Sequence, residues 1–499
     1  MTGRLPFGAA EVAALLDRSI DLGTGLGSGL STGTGTGTGT GQSDPAGQRP
    51  FASVLAGMAG LRLPAGAAVI IAMSNGRLLL ELYFAALLTG ATPMPISPAT
   101  PAPRIARLAA EVGAGAVLAT RLRHERFPGA AAATVGPAEA AILPAPVVRE
   151  PGTALMLTSG TSGMFSACLH RASSLARNAE LHAAAVGLRA GDTVLVTLPL
   201  YYSYAIVAQA YAALGTGARL VISGPPFSPA GYRAAICAHG VTVSSVTPTI
   251  ARQLVAQGER LPPGLRVLTV GGDRLAPAQV ATLLAANPAL ELYLTYGLAE
   301  AGPRVSTLAA HAEPAARHGS VGLPLPGVRT ALRPVPGHRD SGELLVSSDT
   351  VLIDKLGLID KLGGRAGDRP LVGPGTVATG DLFRIDGDGY LHFAGRLSDF
   401  IVVRGEKVSL HAVRQFVQSL PGVVRCGTVV GTDRAGETHY DLQIRVGHDA
   451  DHEEPDQAGE RIHRSVLSWL LPGERPRRLT VDRADNWTDD PANLAAFIK

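Results

Sequence analysis

Lysine is nearly absent from this chain of 499 residues: Lys355, Lys361, Lys407 and Lys499 are all it has, and arginine carries the rest of the positive charge. Chemistry that needs a lysine ammonium has only four places to sit. With 44 basic and 41 acidic residues the net charge is +3, and no basic block forms a nucleic-acid footprint. Cysteine is scarce too. Cys168, Cys237 and Cys426 are too few and too scattered for a disulfide framework or a zinc site, which points to a reducing, cytoplasmic setting. No run approaches the roughly 20 apolar residues of a membrane span, and the amphipathic, partly acidic N-terminus is a poor secretory signal. The skew to Arg, Ala, Gly and Pro is associated with GC-rich bacterial coding. A hydrophobic fraction of 46% against 17% charged residues describes a chain that buries a sizeable core, and the length suggests a large domain with a smaller one.

Residues 23–49, with alternating Thr and Gly from Thr32 to Gly41, offer no side chains to a core and read as a flexible connector. It tethers a short helix within residues 1–22, around Glu11 to Asp17, to a body that begins near Pro50. Over residues 50–394, apolar β-rich runs alternate with Ala-rich helical patterns, as in AAVIIAMSN followed by RLLLELYFAALLTG. That alternation predicts an α/β domain of layered, largely parallel sheets. Residues 395–499 predict a small α+β domain: a strand pair across DGDGYLHFAGR at its start, a strand in FIVVRG, a helix from Leu410 to Leu420, and strands through GTVVGT and DLQIRV. LIDKLG occurs twice between Leu352 and Gly363, too short for a repeat architecture, and reads as a local helix or loop.

The segment LMLTSGTSGMFSACLHR concentrates Thr158, Ser159, Gly160, Thr161, Ser162 and Gly163 after a strand-like run. Small residues let backbone approach an anion closely, with N–H and hydroxyl groups donating to phosphate oxygens. Taken alone, such a run is more often an ordinary turn.

In company with two further segments it resembles the adenylate-forming superfamily of acyl-CoA synthetases, peptide-synthetase adenylation domains and luciferases. LTYGLAEAGPRVST is similar to that family's Tyr-Gly-x-Thr-Glu motif, with Tyr296, Gly297 and Glu300 in place, Ala299 where the threonine belongs, and Thr295 just before as a further implied nucleotide contact. The resemblance implies that Tyr296 packs on adenine and Glu300 helps hold magnesium. ATGDLFRIDGDGYLHFAGRLSDFIVVRGEKV carries the strongest likeness, implying that Asp381 holds the ribose hydroxyls and Arg396 contacts ribose and phosphate. Ser398, followed by Asp399, stands at the implied hinge between domains, and Lys407 where thioester-forming relatives often carry a basic residue. Gly271, Gly272 and Asp273 match a turn lying against adenine. LPLYYSYAIV resembles the acid-binding segment, with Tyr202 at the family's histidine position and Ala205 at a usual glycine. Tyr202, Ser203, Thr247, Gly271 and Tyr296 are thus the implied acid pocket.

The chain departs from the family where cations act. The phosphate loop's Pro-Lys-Gly is Phe165, Ser166 and Ala167 here, and the C-terminal Gly-Lys pair is Asp490 and Pro491. Arg475, Arg477, Arg478 and Arg483 are the first candidates to supply the missing charge. The resemblance implies a ligase, in bacterial secondary metabolism, that uses ATP and Mg2+ to activate a small-molecule carboxylic acid as an acyl or aryl adenylate. The acyl group then passes to the thiol of coenzyme A or a carrier protein, or to an amine. Thr158, Thr161, Glu300 and Arg396 are the implied catalytic set. The departures leave open a member that binds AMP or uses a preformed adenylate, a non-catalytic scaffold, and an unusual oxyacid or acceptor.

Overall fold

The computed structural model describes residues 5–23, 50–158, 166–224, 227–256, 260–335, 338–357, 371–397, 400–403, 406–433, 437–446 and 455–483. The Thr-Gly run, the second LIDKLG copy and the C-terminal Asp490 and Pro491 lie outside them. The short apolar runs form strands buried on both faces, such as Ala68–Ala72, Thr193–Val196 and Val267–Gly271, as central strands of parallel sheets must be. Among the described residues they build two large sheets. One has eight strands, with Val243–Val246 and Val267–Gly271 near its middle, and is parallel as far as Glu291–Gly297. There Arg304–Ala309 turns back antiparallel. The other has five strands and sets Ala68–Ala72 between its parallel neighbours Thr92–Ile96 and Ala114–Ala119. A third, antiparallel sheet holds Arg329–Val335, His338–Ser347 and the hairpin of Thr376–Ile385 with Leu391–Arg396.

Two findings go beyond or against the sequence expectations. The N-terminal helix, Ala9–Arg18, does not stand apart from the body: Val12, Leu15 and Leu16 lie in the same core as the Arg77–Leu88 helix, and Ile20–Asp21 pairs as an edge strand on Arg219–Ile222. An amphipathic helix gains stability by burying its apolar stripe, and here the main body supplies the surface. The first LIDKLG copy is neither helix nor loop. Its Asp354–Gly357 segment is a strand pairing antiparallel with Ser166–Arg171, which in turn pairs with Thr153–Thr158.

The C-terminal part has its own core, in which Val417 of the Leu410–Gln418 helix and Ile462 of the Pro455–Trp469 helix are fully buried with Tyr440 and Leu442 of the Thr438–Val446 strand. It is held to the large body at the Ala102–Val112 helix. Arg104 pairs with Glu474 at 2.5 Å, and the Arg107 guanidinium lies 5.4 Å from the ring of Trp469, which stacks on Phe416. Both members of the ion pair are largely buried, so removing one strands the other's charge at a cost of about 3–5 kcal/mol. Arg104→Ala is therefore expected to loosen the two parts, raising the radius of gyration in small-angle scattering, while Arg104→Lys loosens them less. An unchanged scattering profile for the alanine variant would show that this contact does not hold the small domain. No helix among the described residues is long and apolar enough to cross a membrane.

Candidate nucleotide and acid site

Residues far apart in the chain meet where the eight-stranded sheet abuts the antiparallel one. Glu291–Gly297 carries Tyr296 near its end, and the Thr376–Ile385 hairpin sets Asp381 directly opposite Arg396. Tyr296 donates its hydroxyl to Asp381 Oδ2 at 2.8 Å, and Arg396 Nε lies 2.9 Å from Asp381 Oδ1. Asp381 is 3% exposed, and its backbone N–H donates to Thr379 Oγ1 at 3.1 Å. The Tyr296 ring meets Phe383 edge-on at 4.7 Å. Burial, reinforced by the Asp381 carboxylate, pushes the Tyr296 phenol well above its usual range. A carboxylate with two acceptor oxygens beside a buried aromatic ring is suited to grip a diol while the ring packs on a flat heterocycle.

Gly271 ends a strand against this cluster, where a Cβ would lie 2.4 Å from Thr295 Oγ1 and 3.1 Å from Tyr204. Only glycine fits that approach. Around it is a polar network absent from the sequence reading. The Tyr204 hydroxyl bonds Thr269 at 2.9 Å, Thr269 donates to Ser245 at 2.8 Å, and Arg304 Nη1 donates to Thr295 Oγ1 at 2.6 Å. The Arg304 guanidinium is 2% exposed and lies 4.1 Å from the centre of the Tyr204 ring. Of the other expected acid-pocket residues, Tyr202 is 38% exposed with its ring against Tyr201, Ser203 opens the short Ser203–Ala205 helix, and Thr247 Oγ1 accepts from the Ile250 N–H at 3.4 Å. Gly272 and Asp273 form an exposed turn in which Gly272 has φ +95° and Asp273 Oδ1 caps the Arg274 N–H at 2.7 Å.

Glu300 does not present a bare carboxylate for a metal. It sits in the Ala299–Ala301 turn, and Lys355 Nζ donates to its Oε1 at 2.8 Å, the side chains 15% and 9% exposed. Burial lowers the Lys355 ammonium, but the adjacent Glu300 more than offsets this and its pKa is raised. Among the described residues no group of three or more His, Cys, Asp or Glu could hold a metal ion. Thr158 ends its strand with Oγ1 donating to the Ser166 carbonyl at 3.2 Å, and Ser166 is buried as the first residue of the next strand. Ser159, Gly160, Thr161, Ser162, Gly163 and Ser398 lie outside the described residues. Lys407 is on the Glu406–Ser409 strand. Of the C-terminal arginines, Arg477 grips Asp441 through Nε and Nη2 at 3.2 and 3.0 Å, and Arg475 donates to the Leu467 carbonyl.

Two fully buried histidines flank these clusters. Burial pushes His170 down to about 4, against the raising effect of the Ala299 carbonyl and Glu300, and pushes His182 down to about 3, with Arg304 adding to the shift. Both stay neutral in the folded chain while the unfolded chain protonates near pH 6.5. Their contribution is therefore fully present above that pH and is lost as pH falls towards the folded values, at about 1.4 kcal/mol per unit for each histidine. Between pH 7 and 5, a His170→Gln/His182→Gln variant is expected to lose about 4 kcal/mol less stability than the parent in urea melts. Parallel losses would contradict the assignment.

The AMP-binding enzyme family model matches residues 49–353. The chain is 28% identical to a 4-coumarate–CoA ligase-like protein of Oryza sativa subsp. japonica over 296 residues, which is 58% of this chain and 52%, about half, of the relative. It is 28% identical to a feruloyl-CoA synthase of Amycolatopsis sp. over 375 residues, 72% of this chain and 74% of that one. In three dimensions it resembles the amide bond synthetase McbA of Marinactinospora thermotolerans with a TM-score of 0.72 at 21% identity, covering 98% of this chain and 99% of the other. The o-succinylbenzoate CoA synthetase of Bacillus subtilis gives a TM-score of 0.70 at 18% identity, covering 89% and 90%. These likenesses agree with the sheet architecture, and the match across 49–353 shows that the chain belongs to the AMP-binding enzyme family.

Proposed function

We propose that the protein is an AMP-forming ligase that activates a carboxylic acid with ATP. The observation that carries this is the convergence of Tyr296, Asp381 and Arg396 in one cluster beside Gly271, in a chain of the AMP-binding enzyme family. In this reading Tyr296 packs on adenine, Asp381 exchanges its Tyr296 and Arg396 contacts for the ribose hydroxyls, and Arg396 turns to the phosphate. A carboxylate oxygen of the acid attacks the α-phosphorus, the bond to the leaving pyrophosphate breaks, and an acyl adenylate forms. A thiol or amine then attacks the acyl carbon, and AMP departs. Two relatives are named for aryl acids and coenzyme A, and a structural neighbour for amide bond synthesis, which supports an acyl or aryl acid and either type of acceptor. Coenzyme A and a carrier protein are both candidate thiols, and the buried polar network of Arg304, Tyr204 and Thr295 favours an acid with a hydrogen-bonding group at its far end.

A magnesium ion held by Glu300 does not fit this arrangement, because the carboxylate already carries the Lys355 ammonium. Incubating the protein with ATP, a panel of acids, and coenzyme A or an amine is expected to give AMP with a thioester or amide in mass spectrometry. Cleavage to ADP instead would sink the reading.

A further inference from the structure

The Glu300–Lys355 pair is built from one of only four lysines, on a strand the sequence does not announce. The Asp354–Gly357 strand sets Gly357 opposite Ser166 and Lys355 opposite Cys168, and Ser166 in turn faces Thr158. Ser166 is the position at which the chain lacks the expected phosphate-loop lysine. A cation thus returns to the same small sheet from the neighbouring strand, two registers along. Its partner Glu300 follows Tyr296 by a single tight turn, and the Glu300 carbonyl is fixed by the Leu352 N–H at 2.9 Å. The ammonium carries three donors, and Glu300 Oε1 takes one of them.

We propose that Lys355 is the resident cation of the phosphate end of this site, its ammonium occupying on Glu300 the place a divalent ion would otherwise take and facing the β- and γ-phosphates of a bound nucleoside triphosphate. The inference rests on the adenine-nucleotide reading above and goes beyond it by naming the group that meets the phosphates. A fixed monovalent charge contributes without recruiting an ion from solution, so triphosphate binding becomes insensitive to magnesium. AMP, lacking the outer phosphates, does not sense Lys355.

Calorimetric titration of the full chain with AMP and with ATP, each in EDTA and in excess MgCl2, tests this. The wild type is expected to bind ATP within about threefold in the two buffers. Glu300→Gln/Lys355→Met, which removes both charges and strands neither, is expected to keep AMP affinity within about twofold while losing about tenfold or more for ATP, the size of one charge-assisted contact. Lys355→Arg keeps the cation and should retain ATP binding; it also serves if the double variant does not fold. An unchanged ratio of ATP to AMP affinity in the double variant would overturn the proposal while leaving the nucleotide site standing. A wild type that needs magnesium for ATP binding would do the same. If neither nucleotide binds the wild type, the nucleotide reading and this inference both fall.

Discussion

Asp381→Ala is expected to weaken AMP binding by about a hundredfold or more, because one carboxylate is asked to hold two ribose hydroxyls through charge-assisted hydrogen bonds, each contributing about 1.5–3 kcal/mol. In the free protein the same carboxylate accepts from Tyr296 and pairs with Arg396, so the substitution also leaves a buried phenol and a partly exposed guanidinium to find new partners. Asp381→Asn separates the two effects. It keeps the shape and one acceptor, and should retain the melting temperature better than alanine while still losing most AMP affinity. Calorimetric titration with AMP reads the binding, and thermal denaturation reads the fold. Equal AMP affinity in parent and alanine variant would show that ribose is not held here.

Deleting residues 5–23 is expected to cost on the order of 5 kcal/mol or more, enough to leave the chain insoluble or to lower its melting temperature sharply. Val12, Leu15 and Leu16 are fully buried, and each such side chain accounts for about 1.5–3 kcal/mol of burial. Phe7 also leaves, with its edge-on contacts to Phe84 and Tyr211 at 5.4 and 5.8 Å. The buried Arg77 loses its bond to the Leu16 carbonyl at 2.6 Å and its pairing with Asp17, retaining Glu81. Its backbone N–H also gives up Asp21 Oδ2 at 2.7 Å. Thermal and urea denaturation of the truncated chain check this, and a melting temperature within a few degrees of the parent would show the segment to be an appendage.

These two regions also show how far the sequence was legible. Tyr296, Asp381 and Arg396 each sit in a short motif legible in the sequence, and strand pairing and side-chain contacts bring the three together on Asp381. The N-terminal helix is legible from its amphipathic spacing, but not the surface that buries it, since periodicity says which face is apolar and not what covers it. The partner of Lys355 is not legible in the sequence for a related reason. The role of Lys355 depends on pairing with Ser166–Arg171, far away in the chain, and a four-residue strand inside a repeated hexapeptide has no turn signal or alternation to mark it. Arg304 was hidden differently: a charged residue in an apolar run has no motif, and only burial against Tyr204 and Thr295 gives it meaning. Of the four C-terminal arginines, Arg477 is engaged by Asp441 and Arg475 by the Leu467 carbonyl, pairings that arginine-rich sequence alone does not reveal.

The most direct test of the central claim, that this chain makes an acyl adenylate, is acid-dependent exchange of labelled pyrophosphate into ATP. The measurement isolates the first half-reaction and needs no knowledge of the acceptor. With a panel of aryl and aliphatic carboxylic acids, at least one is expected to support exchange well above the acid-free background, and Asp381→Ala should abolish it. AMP binding without exchange for any acid would contradict the ligase reading and leave a nucleotide-binding protein that does not adenylate.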